Sequence, residues 1–509
     1  MKVDHVYSAN LEGLHSKIIK VEVTMKRGIP RFSIVGLAAT SIKESTDRVR
    51  AALESSGYEF PLQSIIVNLS PAGIRKDGSW IDLAIAAGIL KNSYQIDCSD
   101  AMQDIVCVGE LGLDGSVKPM RGLVNILLSM KDAGYRSVVV PQENHLESSL
   151  ISGLQIYPIA RLEELEGVLK EETRPIQVKV SIEEKKEIPD SIELYEEQLV
   201  ALRALTISVT GKHHFLLFGN PGVGKTMLAR LAASLQPPLT EDEYIGLLRI
   251  RSASGYLAEE DAQQVQRPFR SPHHTASDIS LVGGGRDIRM GEVTLAHQGI
   301  LFLDELGEFN PGVIQALREP LEEGKITISR VTGHYTYPAD FLLLAATNPC
   351  PCGYYGSSIR ECTCSMQKVR RYLNRFSGPF LDRIDLQVEV SLQDLAKNKQ
   401  VRVNLYEIYQ RVVRAKEMQN QRFQGEPYAF NGMAKGEIVE TGFRLHTKAQ
   451  QAWNALKNNP SYSIRRLYKI KRISRTIADL AGEPDILPEH IYEAINFNRG
   501  TEYLLGLVA

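Results

Sequence analysis

The hydrophobic and polar positions form three different patterns along the chain. In residues 1–170, short apolar runs such as 64–72 predict strands, and the apolar stretch 81–90 predicts a buried helix. Between residues 196 and 395, short apolar runs alternate with helical segments, and from 396 to 509 the pattern is helical. The sequence therefore predicts an α+β domain, then an alternating α/β domain, then a helical domain.

A charged stretch separates the first two patterns. Residues 171–190 carry two prolines, many charged side chains and no helical apolar period. This composition is typical of a linker. We therefore predict a linker over 171–195, with room for one extended segment.

Three apolar strands of the α/β region end in polar or glycine motifs. They are "HFLLFG" at 214–219, "GILFLDE" at 299–305 and "FLLLAATN" at 341–348. Continuous apolar strands are typical of a parallel sheet that is covered on both faces. Because such sheets bind ligands beyond the carboxyl ends of their strands, we expect a doubly wound parallel sheet with a site at these ends.

Composition restricts the partners of the chain. Its 509 residues carry a formal net charge of −2, so the whole chain is not a polycation, and nucleic-acid binding would need local basic surfaces. No apolar run approaches the roughly 20 residues of a membrane span. The first residues show no secretory signal, so we expect a cytoplasmic protein without membrane contact.

The segment "GNPGVGKT" completes the phosphate-binding pattern G-x4-G-K-[ST] between a predicted strand and a predicted helix. Its glycines let backbone N–H groups converge on phosphate oxygens, and the helix start adds partial positive charge. The lysine would reach the β- and γ-phosphates, and the threonine hydroxyl would bind Mg²⁺. The candidate nucleotide-binding residues are Gly219, Asn220, Pro221, Gly222, Val223, Gly224, Lys225 and Thr226.

Two acids and an asparagine end the other two strands. Asp304 is expected to hold Mg²⁺, and Glu305 to orient and deprotonate the attacking water. The side-chain amide of Asn348 could hold the same water near the γ-phosphate. ATP and Mg²⁺ are therefore the expected cofactors, and ATP hydrolysis is the expected reaction.

These motifs and several longer segments resemble a known family. The segments are "RPFRSPHHTASDISLVGGG" (267–285), "GEVTLAHQGILFLDELGEF" (291–309), "NPCPCGYYG" (348–356), "SGPFLDRIDLQVEV" (377–390) and "RTIADLAG" (475–482). Over essentially its whole length the chain looks very like the magnesium-chelatase-like ComM/YifB family of AAA+ ATPases. The resemblance implies an α/β P-loop AAA+ core of the helix-2-insert group, an N-terminal Lon-protease-like α+β domain and a C-terminal helical lid. It also implies hexameric rings, some of which act as DNA branch-migration motors in natural transformation.

The resemblance adds two candidate catalytic arginines. Arg383 in "LDRID" matches the arginine finger, which would reach the γ-phosphate held by a neighbouring subunit. An ordinary salt bridge from Arg383 to Asp382 or Asp385 is the alternative. Arg465 matches the sensor-2 position on the lid. It belongs to the basic segment 461–475, of which only a few side chains are expected to touch nucleotide or DNA.

The N-terminal domain resembles the Lon proteolytic fold without its catalytic pair. Lon chemistry needs a serine nucleophile and a lysine base within hydrogen-bonding reach. Trp80, rather than the neighbouring Ser79, falls at the aligned nucleophile position, and Val124 lies where Lon places its lysine. We therefore predict a scaffold without peptidase activity, with Lys76 or Lys118 as a substitute base as the alternative.

Two segments of the core are candidate DNA contacts. Residues 282–292 are glycine-rich and basic, and residues 325–338 predict a hairpin. Basic groups at such tips suit a phosphate backbone and carry no sequence information, although ordinary surface charges are an equal alternative. The candidates are Arg286, Arg289, Arg330 and His334. The chemistry of His273 and His274 assigns them no role.

Four of the six cysteines lie between residues 350 and 364, namely Cys350, Cys352, Cys362 and Cys364. Two C-x-C pairs depart from the usual zinc spacing, yet they can ligate one ion if the loop between them folds back. Zn²⁺, reduced thiols, and disulfides or redox regulation remain open. Whatever orders this loop should help to place both Asn348 and Arg383, because the loop lies between them in sequence.

Three functions are compatible with these motifs. The first is a ring-forming motor that hydrolyses ATP to act on DNA, by branch migration or helicase activity in recombination or natural transformation. The second is a chelatase-like ATPase that remodels a protein partner without DNA. The third, a module that uses ATP only as a switch, is disfavoured because both Glu305 and Arg383 are present.

Overall fold

The computed structural model describes residues 3–39, 42, 44–76, 78–176, 188–255, 266–285, 289–330, 333–357, 360–375, 378–391 and 399–499. By its contacts the chain forms two compact units. One comprises Met1–Glu183 with Glu241–Val265, and the other comprises Glu184–Thr240 with Gln266–Ala509. The α/β domain was predicted at 196–395, whereas the contacts place helix Glu241–Ser254 in the first unit.

The first unit contains a mixed sheet of seven described strands and a separate pair of strands. Its strands are β1 Val3–Glu12, β2 His15–Lys26, β3 Arg31–Val35, β4 Ser64–Ser70, β5 Val106–Cys107, β6 Glu110–Leu111, β7 Val117–Lys118, β8 Ser137–Pro141 and β9 Gln155–Ile159. Seven strands pair in the order β3-β4-β2-β1-β5-β8-β9, antiparallel at β1–β2 and β2–β4 and parallel elsewhere. The helices are Ser45–Ser55, Asp82–Asn92, Leu123–Asp132, His145–Ser148, Leu165–Leu169 and Glu241–Ser254.

The apolar stretch 81–90 lies in the centre of this unit. It forms most of helix Asp82–Asn92, in which every residue is buried, and it packs on β1 and β2. Asp82 is fully buried, and its Oδ2 lies 2.8 Å from the Arg48 Nε. The prediction of a buried helix is therefore confirmed, with its one buried acid neutralised by a paired guanidinium.

Helix Glu241–Ser254 completes the first unit by packing on helix Leu123–Asp132. The Arg249 guanidinium donates to the Leu14 carbonyl at 2.7 Å and to the Asn125 side-chain oxygen at 3.0 Å. The Asn125 amide in turn donates to the Arg249 carbonyl at 2.9 Å. These bonds satisfy polar groups that would otherwise be buried without partners.

The groups considered for peptidase chemistry have other partners. The Ser79 hydroxyl donates to the Glu110 carboxylate. Lys76 is fully buried, and its ammonium group donates to the carbonyls of Gly36 and Pro71. Since neither group contacts the other among the described bonds, these contacts support the interpretation of a scaffold without a serine–lysine pair.

The second unit contains a parallel sheet of five described strands and three separate pairs of strands. Its strands are β10 Ser191–Tyr195, β11 Phe215–Phe218, β12 Phe269–Arg270, β13 Gly283–Gly284, β14 Arg289–Met290, β15 Ile300–Leu303, β16 Lys325–Arg330, β17 Gly333–Pro338, β18 Leu342–Thr347, β19 Leu386–Glu389 and β20 Gln400–Asn404. Five strands pair in the order β12-β15-β18-β11-β19, all of them parallel. The sheet agrees with the predicted doubly wound arrangement, because all residues of β11, β15 and β18 are buried.

The described helices of the second unit lie between the strands and after them along the chain. They are Glu196–Gly211, Lys225–Leu235, Asp278–Val282, Glu292–Leu295, Pro311–Ala316, Arg318–Glu323, Met366–Leu373, Gly378–Leu381, Leu405–Arg422, Thr447–Lys457, Ile464–Ala481 and Pro488–Phe497. The end of the predicted linker is part of this unit, because β10 pairs antiparallel with β20. Residues 177–187 of that linker lie outside the described residues.

Helix Ile464–Ala481 organises the C-terminal helical region. Gly482 ends it in the left-handed conformation, with φ of 77°. Asp479 is 2% exposed and accepts bonds from Arg422 at 2.6 Å and from Arg475 at 3.0 Å. Because buried charges are tolerated only when paired, this network binds the helices of the region to one another. Much of the basic segment 461–475 therefore makes internal contacts, and Lys469 is also buried.

Candidate nucleotide site

The parallel register of three strands brings the predicted motifs to one edge of the sheet. Strand β18 lies between β11 and β15, with Thr347 opposite Phe218 and Ala345 opposite Leu303. The residues that follow these strand ends are the phosphate-binding loop, the two acids and Asn348. The sheet therefore assembles from distant sequence positions the site that the strand patterns predicted.

The phosphate-binding loop 219–226 needs glycine at its first position. A Cβ on Gly219 would lie 2.1 Å from the carbonyl oxygen of Val390 in the segment after β19, so no other residue fits. At the other end, Gly224 adopts a φ of 88° and leads into helix Lys225–Leu235. The helix N-terminus therefore faces the loop, as an anion-binding site requires.

Lys225 is the central cation of this site. Its ammonium group donates to the carbonyls of Gly219 at 2.6 Å and Asn220 at 2.8 Å, and to the side-chain oxygen of Asn348 at 3.0 Å. Burial lowers the pKa of Lys225 to about 8, although the charges of nearby acids act in the opposite direction. A lysine held among oxygen acceptors in this way is positioned to bind phosphate oxygens.

Thr226 and Asp304 offer oxygen ligands for a divalent cation. The Thr226 hydroxyl donates to the Asp304 Oδ2 at 2.7 Å, and Asp304 Oδ1 accepts the backbone N–H of Glu305 at 2.9 Å. A hydroxyl and a carboxylate are ligands that Mg²⁺ takes beside nucleotide phosphates. The residues therefore fit a nucleotide with Mg²⁺, which would neutralise phosphate charge there.

Glu305 is held in a strained backbone conformation beside an unexpected partner. Its φ of 52° is left-handed, which is uncommon for a residue with a side chain and is frequent at functional sites. The His274 Nδ1 lies 3.5 Å from Glu305 Oε2. His273 stacks on His274 and contacts Thr275 instead. Sequence analysis assigned no role to His274, because nothing in the local pattern links it to an acid 31 positions later.

The two arginines taken from the family resemblance lie together in a different place. Arg383 and Arg465 both pair with the carboxylate of Glu322, Arg465 at 3.3 Å. All three line a cavity of about 580 Å³ between the core and the helical region of the second unit. The partner of Arg383 is therefore Glu322 rather than Asp382 or Asp385, which the sequence alone had offered. Asp385 is instead buried beside Lys469 and other cations.

The candidate DNA residues are only partly described. Arg289 lies in the short β13–β14 ribbon and is exposed, whereas Arg286 lies outside the described residues. Strands β16 and β17 form the predicted hairpin, with Arg330 paired to Gly333 in its register. His334 is exposed on that hairpin and contacts Ser329 at 2.9 Å.

The four cysteines of the 350–364 loop converge. Their sulfurs all lie within 4.8 Å of one another, and all four are free thiols. Asn220 of the phosphate-binding loop donates to the Ser357 hydroxyl at 2.9 Å. A Cβ on Gly353 would lie 2.6 Å from the Pro221 ring, so the cysteine loop packs directly on the phosphate-binding loop.

Comparison with known proteins agrees with this site. Family profiles match residues 21–144 (Subunit ChlI of Mg-chelatase), 193–398 (Magnesium chelatase, subunit ChlI) and 404–498 (Magnesium chelatase, subunit ChlI C-terminal). The chain is 36% identical over 512 residues to competence protein ComM of Haemophilus influenzae, covering 98% of this chain and 97% of that protein. The chain belongs to the magnesium chelatase ChlI-like family. YifB of Salmonella typhimurium, a second full-length homologue, is 37% identical over 517 residues, covering 100% of this chain and 99% of that protein.

Membership of the ChlI-like family identifies the chain as an AAA-type ATPase, which implies ATP hydrolysis with Mg²⁺. A shorter similarity, 27% identity over 160 residues, 29% of this chain and 19% of the relative, links it to Lon protease 1 of Hydrogenovibrio crunogenus. The N-terminal ChlI domain is therefore partly Lon-like. Among the described residues no helix has both the length and the apolar character to span a membrane.

Nucleotide affinity should depend on the protonation of Lys225. Its ammonium group is charged below a pKa of about 8 and neutral above it, and only the charged form attracts phosphate. Titration of a fluorescent ADP analogue with Mg²⁺ should therefore show affinity falling by up to roughly tenfold per pH unit above that pKa. In the Lys225→Arg control the guanidinium stays charged, so affinity should vary little with pH. A wild-type affinity that is constant across this range would contradict the assignment.

We infer that His274 is a positioning residue for Glu305. His274→Ala should lower kcat roughly tenfold and leave nucleotide affinity unchanged, because a general base that is slightly misplaced loses rate but not binding. His273→Ala is the matched control and should keep most of the rate. His274→Asn, which restores a donor near the Nδ1 position, should recover part of the loss. Equal kcat in wild type and His274→Ala would exclude the role.

Proposed function

We propose that this ATPase is a ring-forming motor that acts on DNA, by branch migration or helicase activity in recombination or natural transformation. The observation that carries the proposal is the separation of two half-sites in one chain. Lys225, Thr226, Asp304 and Asn348 meet at the sheet edge, whereas Arg383 contacts the Glu322 carboxylate and the Pro379 carbonyl. A hydrolytic site completed by this arginine then requires a second copy of the chain.

The grouping of two arginines near Glu322 supports a role in binding an anion. This one carboxylate pairs with the guanidiniums of Arg383 and Arg465, and the Arg383 hydrogen bond lowers the pKa of the Glu322 carboxyl. Two guanidiniums side by side suit a phosphate group offered by a neighbouring subunit. A contact of this kind that repeats head to tail closes into a ring. We propose a ring of six subunits, as the family resemblance implies.

DNA is the proposed substrate for two reasons. The relative ComM is named as a competence protein, and the described hairpin β16–β17 and ribbon β13–β14 carry basic residues outside the five-stranded sheet. The alternative is a chelatase-like ATPase that remodels a protein partner. It is favoured by the family profiles, which carry the magnesium chelatase name over the whole nucleotide site.

The rate of ATP hydrolysis with and without DNA separates these two functions. We expect single-stranded or forked DNA to raise the rate of the wild type several-fold, with a gain that decreases at higher salt. The Glu305→Gln variant should hydrolyse little ATP with or without DNA. It should still bind ATP and DNA. An unchanged rate with either DNA would favour the chelatase-like alternative.

The use of Arg383 across subunits is testable by mixing two inactive variants. Lys225→Ala and Arg383→Ala should each hydrolyse little ATP. In a one-to-one mixture, about a quarter of the interfaces combine an intact phosphate loop with an intact arginine from the neighbour. The mixture should therefore regain about that fraction of wild-type activity. If mixing restores nothing although co-assembly is verified, Arg383 does not act across subunits.

A further inference from the structure

The cysteine loop has the geometry of a closed metal site. The sulfur atoms are separated by 3.3 Å for Cys350–Cys352, 3.5 Å for Cys352–Cys362 and 3.6 Å for Cys350–Cys362. A tetrahedral ion with bonds of about 2.3 Å to sulfur places its ligands about 3.8 Å apart. A disulfide would instead need about 2.05 Å. The segment between the two C-x-C pairs therefore folds back far enough to bring the four sulfurs together, although the spacing of these cysteines differs from that of usual zinc ligands.

Interactions between thiols alone do not explain why the four sulfurs lie so close together. A thiol is a weak hydrogen-bond donor, and the loop around it is short of apolar side chains that would pack it. Cys350 is fully buried, and the other three cysteines are half-buried, so the cluster is shielded on one side. A central cation would bind all four sulfurs at once and fix the loop.

The ends of the loop are fixed to the nucleotide site. Its first end follows Thr347 and Asn348 at the end of strand β18. At its other end, Ser365 caps helix Met366–Leu373, and Tyr372 of that helix returns to contact the Thr347 hydroxyl at 3.2 Å. Both ends of the loop are therefore attached to the end of strand β18, which Asn348 follows.

The middle of the loop contacts the phosphate-binding loop through two residues. Ser357 accepts the Asn220 amide, and Gly353 packs on Pro221. Asn220 also accepts from the Lys225 ammonium group through its carbonyl. Any group that fixes the cysteine loop therefore also fixes one wall of the nucleotide pocket.

We propose that Cys350, Cys352, Cys362 and Cys364 bind one Zn²⁺ ion, and that this ion holds the phosphate-binding loop and Asn348 in position. Four protein ligands fill a tetrahedral site, so the ion is structural and takes no part in the hydrolysis itself. The metal site does not depend on the proposed action on DNA, since it supports the nucleotide pocket for either substrate.

Metal analysis of the purified full-length chain is the first test. We expect one zinc per chain and no stoichiometric iron, and replacement by Co²⁺ should give the visible absorption bands of a tetrahedral tetrathiolate. Cys362→Ser should lose the metal, whereas Cys98→Ser, a thiol in the first unit, should retain it. Iron in place of zinc, a disulfide among the four cysteines in protein purified without oxygen, or full metal content in Cys362→Ser would each overturn the zinc assignment.

The second test separates the supporting role from simple misfolding. Ser357→Ala keeps all four ligands but removes the bond from Asn220. It should bind one zinc as the wild type does, and its affinity for an ADP analogue with Mg²⁺ should fall several-fold. The metal-free Cys362→Ser variant should lose roughly tenfold or more in the same affinity. Wild-type affinity in both variants would show that the ion does not support the nucleotide pocket.

Discussion

Parallel hydrogen bonding among β15, β18 and β11 is the constraint on which the rest of the structure depends. It places the ends of three strands side by side, although Gly219, Asp304 and Asn348 are far apart in sequence. A shift of one residue in either pairing would turn every side chain of that strand to the opposite face. The continuous apolar character of the strands buries both faces, so the site geometry is set by the same packing that stabilises the core.

Charged side chains of the second unit form two distinct groups. Around the phosphate-binding loop, the half-buried Lys225 lies among neutral oxygen acceptors. Around Glu322, two guanidiniums share one carboxylate. The first arrangement suits the phosphates of a bound nucleotide. In the second, a single carboxylate links Arg383 of the core to Arg465 of the C-terminal helical region.

The sequence predicted those parts of the fold that depend on local patterns. The buried helix at 81–90, the strands of the parallel sheet and the phosphate-binding motif all follow from apolar periodicity and short spacing. Contacts between distant segments could not be predicted in this way. His274 beside Glu305, and Glu322 between Arg383 and Arg465, are side-chain pairs that no spacing rule indicates.

Helix Glu241–Ser254 lies within the range 196–395 predicted for the α/β domain, although it packs on helix Leu123–Asp132 of the first unit. The position of a segment along the chain does not show which distant helix it contacts. In the basic segment 461–475, only a few side chains were expected to touch nucleotide or DNA. The fold buries Lys469 and Arg475 in internal contacts whose partners composition does not identify.

The position of helix Glu241–Ser254 affects the order in which the chain can fold during synthesis. During synthesis, the strands and helices up to residue 183 leave the ribosome well before this helix does. Until it emerges, Asn125 and the carbonyl of Leu14 lack the partner that Arg249 provides. The N-terminal unit therefore cannot reach its final form as an independent early product, and a polypeptide truncated after residue 183 would expose the face of helix Leu123–Asp132 to water or to other proteins.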